Sequence, residues 1–254
     1  MEDKKQVVFA NVKDRIVIVT GASSGIGLAT SRLLAKQGTR LALVSRSRDK
    51  LDQLSSELPE SLAVSADMSK VFEIKRMVKQ VADHFGRIDV LINNAGVGYD
   101  ALVERMDVDT FHYVFDLDVV GPVVAMQQVI PFMKRQGGGA IVNVSSAVAL
   151  MNLPNQSPYA SLKRALSQIS LTAREELKSD NIIVSVAYPY ITLTNFEKNT
   201  IRDVPVPENE QEPTGPFPPD SADFVAEKLL EGIESGDAEI FAHDWIKKRA
   251  YSPP

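Results

Sequence analysis

The sequence predicts an α/β fold, a doubly wound parallel β-sheet with helices on both faces. Two observations predict it. Short β-branched apolar runs alternate with longer segments of helical period, and a glycine-rich turn joins the first apolar run to the first helical segment. No linker interrupts this rhythm along the 254 residues, so we expect one domain over residues 1–254.

The first half of the chain contains four apolar runs, separated by three segments of helical period. Gly38 ends the first helix, because glycine readily takes the left-handed conformation that follows a helix C-terminus. The predicted elements are strands at 16–20, 41–44, 62–66 and 90–93, and helices at 25–37, 50–58 and 71–85.

The second half begins with a long helical segment, in which Pro122 and Pro131 predict a kink or an early end. Residues 203–220 hold six of the fourteen prolines, so we expect neither a helix nor a central strand there. This stretch is either part of a substrate lid at about 195–220 or a disordered insertion. The other predicted elements are helices at about 109–135, at 159–177 and at 221–235, strands at 140–144 and 182–187, and an edge strand at 240–241.

Composition excludes several classes of function. The formal net charge of -5 gives no electrostatic reason to expect a nucleic-acid partner. The absence of cysteine excludes disulfides, thiolate catalysis and Cys-ligated metals, and three scattered histidines argue against a metal site. The N-terminus lacks the apolar stretch of a secretory signal, and no window approaches about 18 uninterrupted apolar residues, so we expect a cytoplasmic protein without a membrane span.

The glycine-rich turn follows the first strand and opens the first helix, where a dinucleotide pyrophosphate meets a helix N-terminus. Glycines there permit a tight turn and let backbone N–H groups approach phosphate oxygens. The spacing G-x-x-x-G-x-G differs from G-x-G-x-x-G, and a plain strand-to-helix turn is the alternative interpretation. The candidate phosphate-binding residues are Gly21, Ser23, Ser24, Gly25, Ile26 and Gly27.

Three motifs in order resemble those of the short-chain dehydrogenase/reductases, and the resemblance covers about residues 15–194. The turn is similar to the family's T-G-x-x-x-G-x-G, residues 93–96 to its N-N-A-G, and residues 159–163 to its Y-x-x-x-K. The resemblance implies a Rossmann-type fold, a nicotinamide cofactor and oxidoreductase activity. It also implies that the cofactor contacts Asp67, Met68, Asn94, Ala95 and Gly96.

The end of the second predicted strand bears on the choice between NAD and NADP. An acidic residue there accepts hydrogen bonds from a ribose 2′-OH, whereas a 2′-phosphate needs a cation. The chain has Arg46 at this position, between Ser45 and Ser47, whose hydroxyls can donate to a phosphate. We therefore expect NADP(H). The alternative is that Arg46 and Arg48 only begin a solvated helix, which would leave NAD(H) as the cofactor.

Tyr159 and Lys163 are the candidate catalytic pair. Reduction of a carbonyl needs a proton donor, and the reverse reaction needs a base. A tyrosine titrates near ~10, so a nearby cation is required to favour its phenolate, and Lys163 lies four residues on, on the same helical face. The resemblance implies that Lys163 holds the nicotinamide ribose and that Ser146, thirteen residues before the tyrosine, binds the substrate oxygen. Because strand side chains alternate, Ser145 cannot face the same site from a regular strand.

Two positions depart from the family pattern. Asp118 stands where the family has the asparagine that serves as its fourth catalytic residue and supports a proton-relay water. Either Asp118 preserves the structural role through its backbone, or its carboxylate accepts a hydrogen bond and perturbs Lys163 through the water chain. Tyr190 replaces the glycine of a Pro-Gly pair after Pro189, which adds an aromatic wall beside the nicotinamide. By resemblance, Thr192 and Thr194 bind the carboxamide and phosphate side of the cofactor.

The residues expected to border the substrate are mostly apolar or aromatic, so we expect a moderately hydrophobic ketone, aldehyde or alcohol. Each could equally be an ordinary core residue. A cofactor-binding regulator that no longer turns over is a further alternative. The resemblance implies a homodimer or homotetramer, although the apolar helix positions behind this expectation could instead be buried within the monomer. The bordering residues are Tyr99, Leu150, Met151, Leu153, Tyr190, Phe196, Ile201 and Phe217.

Overall fold

The computed structural model describes residues 11–204 and 217–251. Nine strands lie in these ranges: β1 Ile16–Thr20, β2 Arg40–Ser45, β3 Ser61–Ser65, β4 Val90–Asn93, β5 Tyr99–Asp100, β6 Gly139–Val144, β7 Ile182–Tyr188, β8 Ile201–Arg202 and β9 Glu239–Phe241. The α-helices there are α1 Gly25–Lys36, α2 Arg48–Glu57, α3 Val71–Phe85, α4 Val108–Phe115, α5 Gly121–Gln136, α6 Ser157–Leu177, α7 Phe196–Asn199, α8 Ala222–Ser235 and α9 Asp244–Tyr251.

Seven of these strands form one parallel sheet in the order β3-β2-β1-β4-β6-β7-β9. The chain builds outward from β1 to β3 and then returns to add β4 on the other side of β1. The carboxyl ends of β1 and β4 therefore border the point where the strand order reverses, which is where open α/β sheets bind ligands. The predicted doubly wound α/β fold is confirmed.

Helices cover both faces of the sheet because alternate strand residues point to opposite faces. In β1, Ile16 and Ile18 pack into the core formed with α3, α5 and α6, whereas Val17 and Val19 pack into the core formed with α1, α2 and α8. All four side chains are fully buried. Strands buried on both faces read as continuous apolar runs, which is the pattern seen in the sequence.

The long helix predicted at about 109–135 is present but irregular. A π-helical segment, Asp116–Val120, joins α4 to α5, and Pro122 lies in the first turn of α5, directly after this segment. The irregularity thus precedes Pro122, and the helix continues through Pro131. Residues Val108–Gln136 are long and apolar enough to cross a membrane by length and composition alone, but more than half of the most apolar window is buried within the protein. The buried apolar side chains of α5 pack into the core on one face of the sheet.

A second, two-stranded sheet pairs β5 with β8 beside the carboxyl end of the main sheet. Tyr99 pairs with Ile201 and Asp100 with Arg202. This pairing holds the first part of the predicted lid against the segment that follows β4. We expected neither a helix nor a central strand in the proline-rich residues 203–220. Most of this stretch, residues 205–216, lies outside the described residues.

Candidate active site

The glycine-rich turn after β1 is tightly packed against the segment that follows β4. Gly21 and Gly25 have φ values of +69° and +53°, a backbone region that favours glycine. A Cβ on Gly27 would lie 2.3 Å from the carbonyl oxygen of Gly21 and 2.6 Å from Nδ2 of Asn94. The turn therefore keeps its backbone at the helix N-terminus only with glycine at these positions. Ser24 is the N-cap of α1 and makes no side-chain capping bond, which leaves its hydroxyl available to a ligand.

Thr20 joins the two loops at the point where the strand order reverses. Its hydroxyl accepts hydrogen bonds from the backbone N–H groups of Asn94 at 2.9 Å and Ala95 at 3.0 Å. The side chain of Asn94 donates to the Thr20 carbonyl at 2.9 Å. Thr20 was not among the predicted site residues. A threonine at the end of a buried strand, directly before the first glycine, was the available signal.

The carboxyl end of β2 presents Arg46 to solvent. Its guanidinium donates to the Tyr113 hydroxyl at 3.2 Å, and the Ser45 hydroxyl accepts from the N–H of Ser47 at 3.2 Å. After β3, Asp67 accepts from the N–H and hydroxyl of Ser69, both at 2.9 Å, and Met68 is buried. These residues lie directly after the carboxyl ends of β2 and β3.

Tyr159, Lys163 and Ser146 meet at the carboxyl end of β6. Tyr159 and Lys163 lie in the first part of α6, and the Lys163 ammonium is 5.7 Å from the centre of the tyrosine ring. Lys163 Nζ donates to the Val144 carbonyl at 3.0 Å. The Ser146 hydroxyl accepts the Val148 N–H at 3.3 Å and lies near enough to Tyr159 to lower its pKa, whereas Ser145 points away from the site and bonds to Ser167 and the Lys163 carbonyl. The two serines thus face opposite ways, as strand geometry requires.

Asp118 forms an ion pair with Lys163, in which Oδ2 lies 3.0 Å from Nζ. The carboxylate side chain is 0% exposed and the ammonium side chain 5% exposed. The other carboxylate oxygen accepts the Val97 N–H at 3.1 Å. Burial raises the pKa of Asp118, while Lys163 and the Val97 N–H oppose that increase.

The pKa of Tyr159 lies well above its ordinary value. Burial raises it most, and the negative charge of Asp118 raises it further; the hydrogen bond with Ser146 acts in the opposite direction. More distantly, the carboxylate of Asp100 adds to the increase. The phenol is therefore held in its protonated form.

An aromatic group closes the substrate side of the site. The ring of Phe196, on α7, lies 5.8 Å from the Tyr159 ring. Tyr190 packs edge-on against Trp245 at 5.1 Å, and Phe217 stacks on the same indole at 5.1 Å. The predicted aromatic wall at Tyr190 is thus one part of a larger cluster, to which α9 contributes Trp245.

The other predicted substrate-side residues differ in their exposure, and the expectation for Tyr99 is wrong. Tyr99 is fully buried in β5, where its hydroxyl bonds to the carboxylate of Asp203 and accepts the Asp107 N–H at 2.8 Å. Both bonds keep the phenol in the core. The sequence shows only an aromatic residue near a motif and does not reveal these partners. Leu153 is exposed, while Leu150, Met151 and Ile201 are half-buried.

Asp100 and Arg202 fasten the segment of α7 and β8 beside Tyr159. Asp100 accepts from the Gln156 side chain at 2.6 Å, and its other oxygen lies 3.4 Å from the Arg202 guanidinium. Arg202 also pairs with the Glu197 carboxylate. Sequence reasoning missed this group because the two-residue strands that bring it together are too short to give a periodic pattern.

The arrangement fits a nicotinamide dinucleotide. The glycine turn exposes backbone at the N-terminus of α1, and the methyl carbon of Thr194 lies 3.1 Å from where a Cβ on Gly25 would stand, so the segment after Pro189 reaches the same crevice. Thr192 Oγ1 donates to the Tyr190 carbonyl at 2.8 Å, which fixes the course of this segment. Arg46 directly follows β2, and Lys163, on α6, reaches the carboxyl end of β6 through the Val144 carbonyl.

Comparison with known proteins agrees with this architecture. A family model described as short chain dehydrogenase matches residues 15–205. The chain is 36% identical over 198 residues to 3-oxoacyl-[acyl-carrier-protein] reductase FabG of Staphylococcus epidermidis, covering 75% of this chain and 81% of that protein.

Two solved structures illustrate the likeness in fold. One is a short chain dehydrogenase/reductase from Burkholderia phymatum in complex with NAD, with a TM-score of 0.83 and 24% identity over 94% of this chain and 92% of that one. The other is L-sorbose reductase from Gluconobacter frateurii, complexed with NADPH and L-sorbose. It has a TM-score of 0.81 and 25% identity, and the match covers 91% of this chain and 96% of that one.

Proposed function

The chain belongs to the short-chain dehydrogenase/reductase family and is an oxidoreductase that uses a nicotinamide cofactor, and we propose that it transfers a hydride between NADP(H) and a moderately hydrophobic carbonyl or alcohol. The observation that carries this proposal is the meeting of Tyr159, Lys163 and Ser146 beside the crevice where the strand order reverses. A proton donor, a hydroxyl for the substrate oxygen and a cation there suit carbonyl reduction.

The chemistry assigns one role to each side chain. A bound reduced nicotinamide supplies the hydride. The Ser146 hydroxyl orients the substrate oxygen, and Tyr159 donates its proton to that oxygen as the carbonyl becomes an alcohol. Lys163, anchored by the Val144 carbonyl, is positioned to hold the nicotinamide ribose. The Phe196 ring packs against the Tyr159 ring, with the two ring centres 5.8 Å apart.

A carbonyl panel tests the activity. Wild type is expected to oxidise NADPH with several apolar ketones or aldehydes, while Tyr159→Phe binds NADPH normally and turns over at least ~100-fold more slowly, the usual contribution of a general acid. Binding without turnover in both proteins would instead support the regulatory alternative. Activity confined to highly charged compounds would overturn the hydrophobic substrate class.

Arg46 supports the preference for NADP(H). Arg46 is exposed directly after β2, between Ser45 and Ser47, and no carboxylate stands at this strand end. Arg46→Ala is expected to weaken NADPH binding about tenfold or more and to leave NADH binding unchanged, because only NADPH carries the 2′-phosphate. The matched control is Arg48→Ala, since Arg48 is exposed and already paired with Asp52 at 2.8 Å. Equal affinities of wild type for NADPH and NADH would refute the preference.

We also propose a homodimer or homotetramer. Val108 and Phe115 on α4 are 60% and 38% exposed, respectively, although both are large and apolar. Association along this helix would remove them from water. Light scattering tests the proposal, and a monomer at micromolar concentration would contradict it.

A further inference from the structure

The Asp118–Lys163 ion pair changes the charge that faces Tyr159. A lone ammonium near a tyrosine attracts the phenolate and favours loss of the proton. Here a carboxylate oxygen lies 3.0 Å from that ammonium, and both side chains are buried. At this distance the two opposite charges act on their surroundings mostly as a dipole, so Lys163 stabilises a phenolate much less than an isolated cation would.

We propose that Asp118 is a positioning residue that takes up the positive charge of Lys163 and thereby keeps Tyr159 in its protonated, proton-donating form to a higher pH than an asparagine would. This inference rests on the proposed function, because it assigns Tyr159 the role of proton donor. The inference goes beyond the proposed function by naming a residue that sets the pH range in which Tyr159 donates its proton.

The groups that face Tyr159 from the neighbouring elements favour the same conclusion. Asp118 comes from the π-helical segment, and Asp100, itself beside Arg202, comes from β5. The loop after β6 contributes the uncharged hydroxyl of Ser146, and α7 contributes the ring of Phe196. Lys163, one turn along α6 from Tyr159, is the cation of this set, and it is paired with the carboxylate of Asp118. The charges next to the phenol therefore do not favour its ionisation.

The fold holds the carboxylate in place. A Cβ on Gly96 would lie 2.8 Å from Oδ2 of Asp118, so the absence of a side chain at Gly96 leaves the space that the carboxylate fills. The Val97 N–H binds the other oxygen. The π-helical turn directs residue 118 into the site, and such turns are frequent at functional positions. Asp118 is thus fixed between the loop after β4 and Lys163.

The consequence for the reaction follows from its proton balance. In reduction, the carbonyl carbon gains a hydride from the reduced nicotinamide and the oxygen gains the Tyr159 proton, which yields the alcohol, the oxidised nicotinamide and the phenolate. Oxidation is the exact reverse and begins from the phenolate. Because Asp118 does not alter the overall equilibrium, the alkaline end of the reduction profile and the plateau of the oxidation profile must move together.

The decisive variant is Asp118→Asn, which keeps an oxygen for the Val97 N–H and removes the charge. We expect the alkaline fall of kcat/KM for reduction, and the rise of kcat/KM to its plateau for oxidation, both to move to lower pH by about one unit or more. The matched control is Asp116→Asn, which makes the same change two residues earlier, on the exposed side of the same segment. The control is expected to leave both profiles unchanged.

Tyrosinate absorbance provides a second readout, which needs no turnover. The titration that is lost in Tyr159→Phe belongs to Tyr159, and Asp118→Asn should move it to lower pH. If this titration moves but no substrate turns over, the inference stands and the proposed function fails; if turnover is present but neither readout moves, the inference is wrong. Should Asp118→Asn fold poorly, Asp118→Ser keeps an acceptor for Val97 and is expected to shift both readouts in the same direction.

Discussion

Replacing Lys163 by methionine tests the buried ion pair through stability rather than catalysis. The substitution keeps an apolar chain of similar length but leaves the Asp118 carboxylate, which is 0% exposed, without its cation. Removing one partner of a buried pair costs about 3–5 kcal/mol of unfolding free energy, because the remaining charge has lost both water and counter-ion. The Val144 carbonyl also loses its donor at 3.0 Å.

The loss should depend on pH with a definite sign. Without Lys163, the folded-state pKa of Asp118 rises further above the unfolded value of ~3.9. The folded protein then binds more protons than the unfolded chain, so stability falls as pH rises through the raised pKa. Lys163→Met should therefore be less destabilising at about pH 5 than at about pH 8. The assay is urea unfolding followed by circular dichroism at both pH values.

Two controls make the result interpretable. The double variant Asp118→Asn/Lys163→Met removes both charges and should recover at least half of the lost stability. Lys79→Met breaks an exposed pair with Asp83 and should change stability little. A loss for Lys163→Met as small as that for Lys79→Met, or no recovery in the double variant, would refute the assignment of a buried, charged pair.

Three further perturbations follow from the geometry. Gly27→Ala places a Cβ 2.3 Å from a carbonyl oxygen of the glycine turn and should weaken NADPH binding about tenfold or more. The control is Gly86→Ala, in open space at φ +78°, which should lower stability without changing NADPH affinity. Equal NADPH affinities of Gly27→Ala and wild type, measured by titration calorimetry, would contradict this. Tyr99 and Tyr188 have pKa values raised to about 12, chiefly by burial, so the folded state keeps protons that the unfolded chain loses at ~10. The free energy of unfolding should therefore fall as pH rises between these two values. A series of denaturation curves that gives the same unfolding free energy over that range would contradict this. Arg202→Ala removes the ion pairs that hold residues 196–202 and should raise KM about fivefold, the effect of ~1 kcal/mol, with hydrogen exchange at these residues accelerated. Unchanged exchange would show that the ion pairs do not hold this segment.

The sheet and its helices were predictable because each buried apolar face repeats with a regular period. The predictions for 16–20, 71–85 and 90–93 coincide with β1, α3 and β4, since these elements are bounded by polar or glycine residues on both sides. The short edge strand predicted at 240–241 corresponds to β9 at the outer end of the sheet.

The parts that sequence could not predict depend on contacts between distant segments. The π-helical turn at Asp116–Val120 keeps the apolar pattern of an ordinary helix, so the sequence pattern does not predict it. The sequence left two roles open for Asp118, one through its backbone and one through a water chain to Lys163; the structure instead places its carboxylate in a direct ion pair with Lys163. Tyr99 was misjudged because the partners of its hydroxyl, Asp107 and Asp203, come from two separate loops.

The measurement that tests the proposed function most directly follows one hydrogen. NADPH deuterated at the transferable position of the nicotinamide is incubated with wild type and an apolar ketone, and the alcohol is analysed by mass spectrometry. We predict one deuterium on the carbon of the new alcohol, and at least ~100-fold less product with Tyr159→Phe. Unlabelled alcohol, or equal product from the two proteins, would contradict direct hydride transfer with Tyr159 as the proton donor.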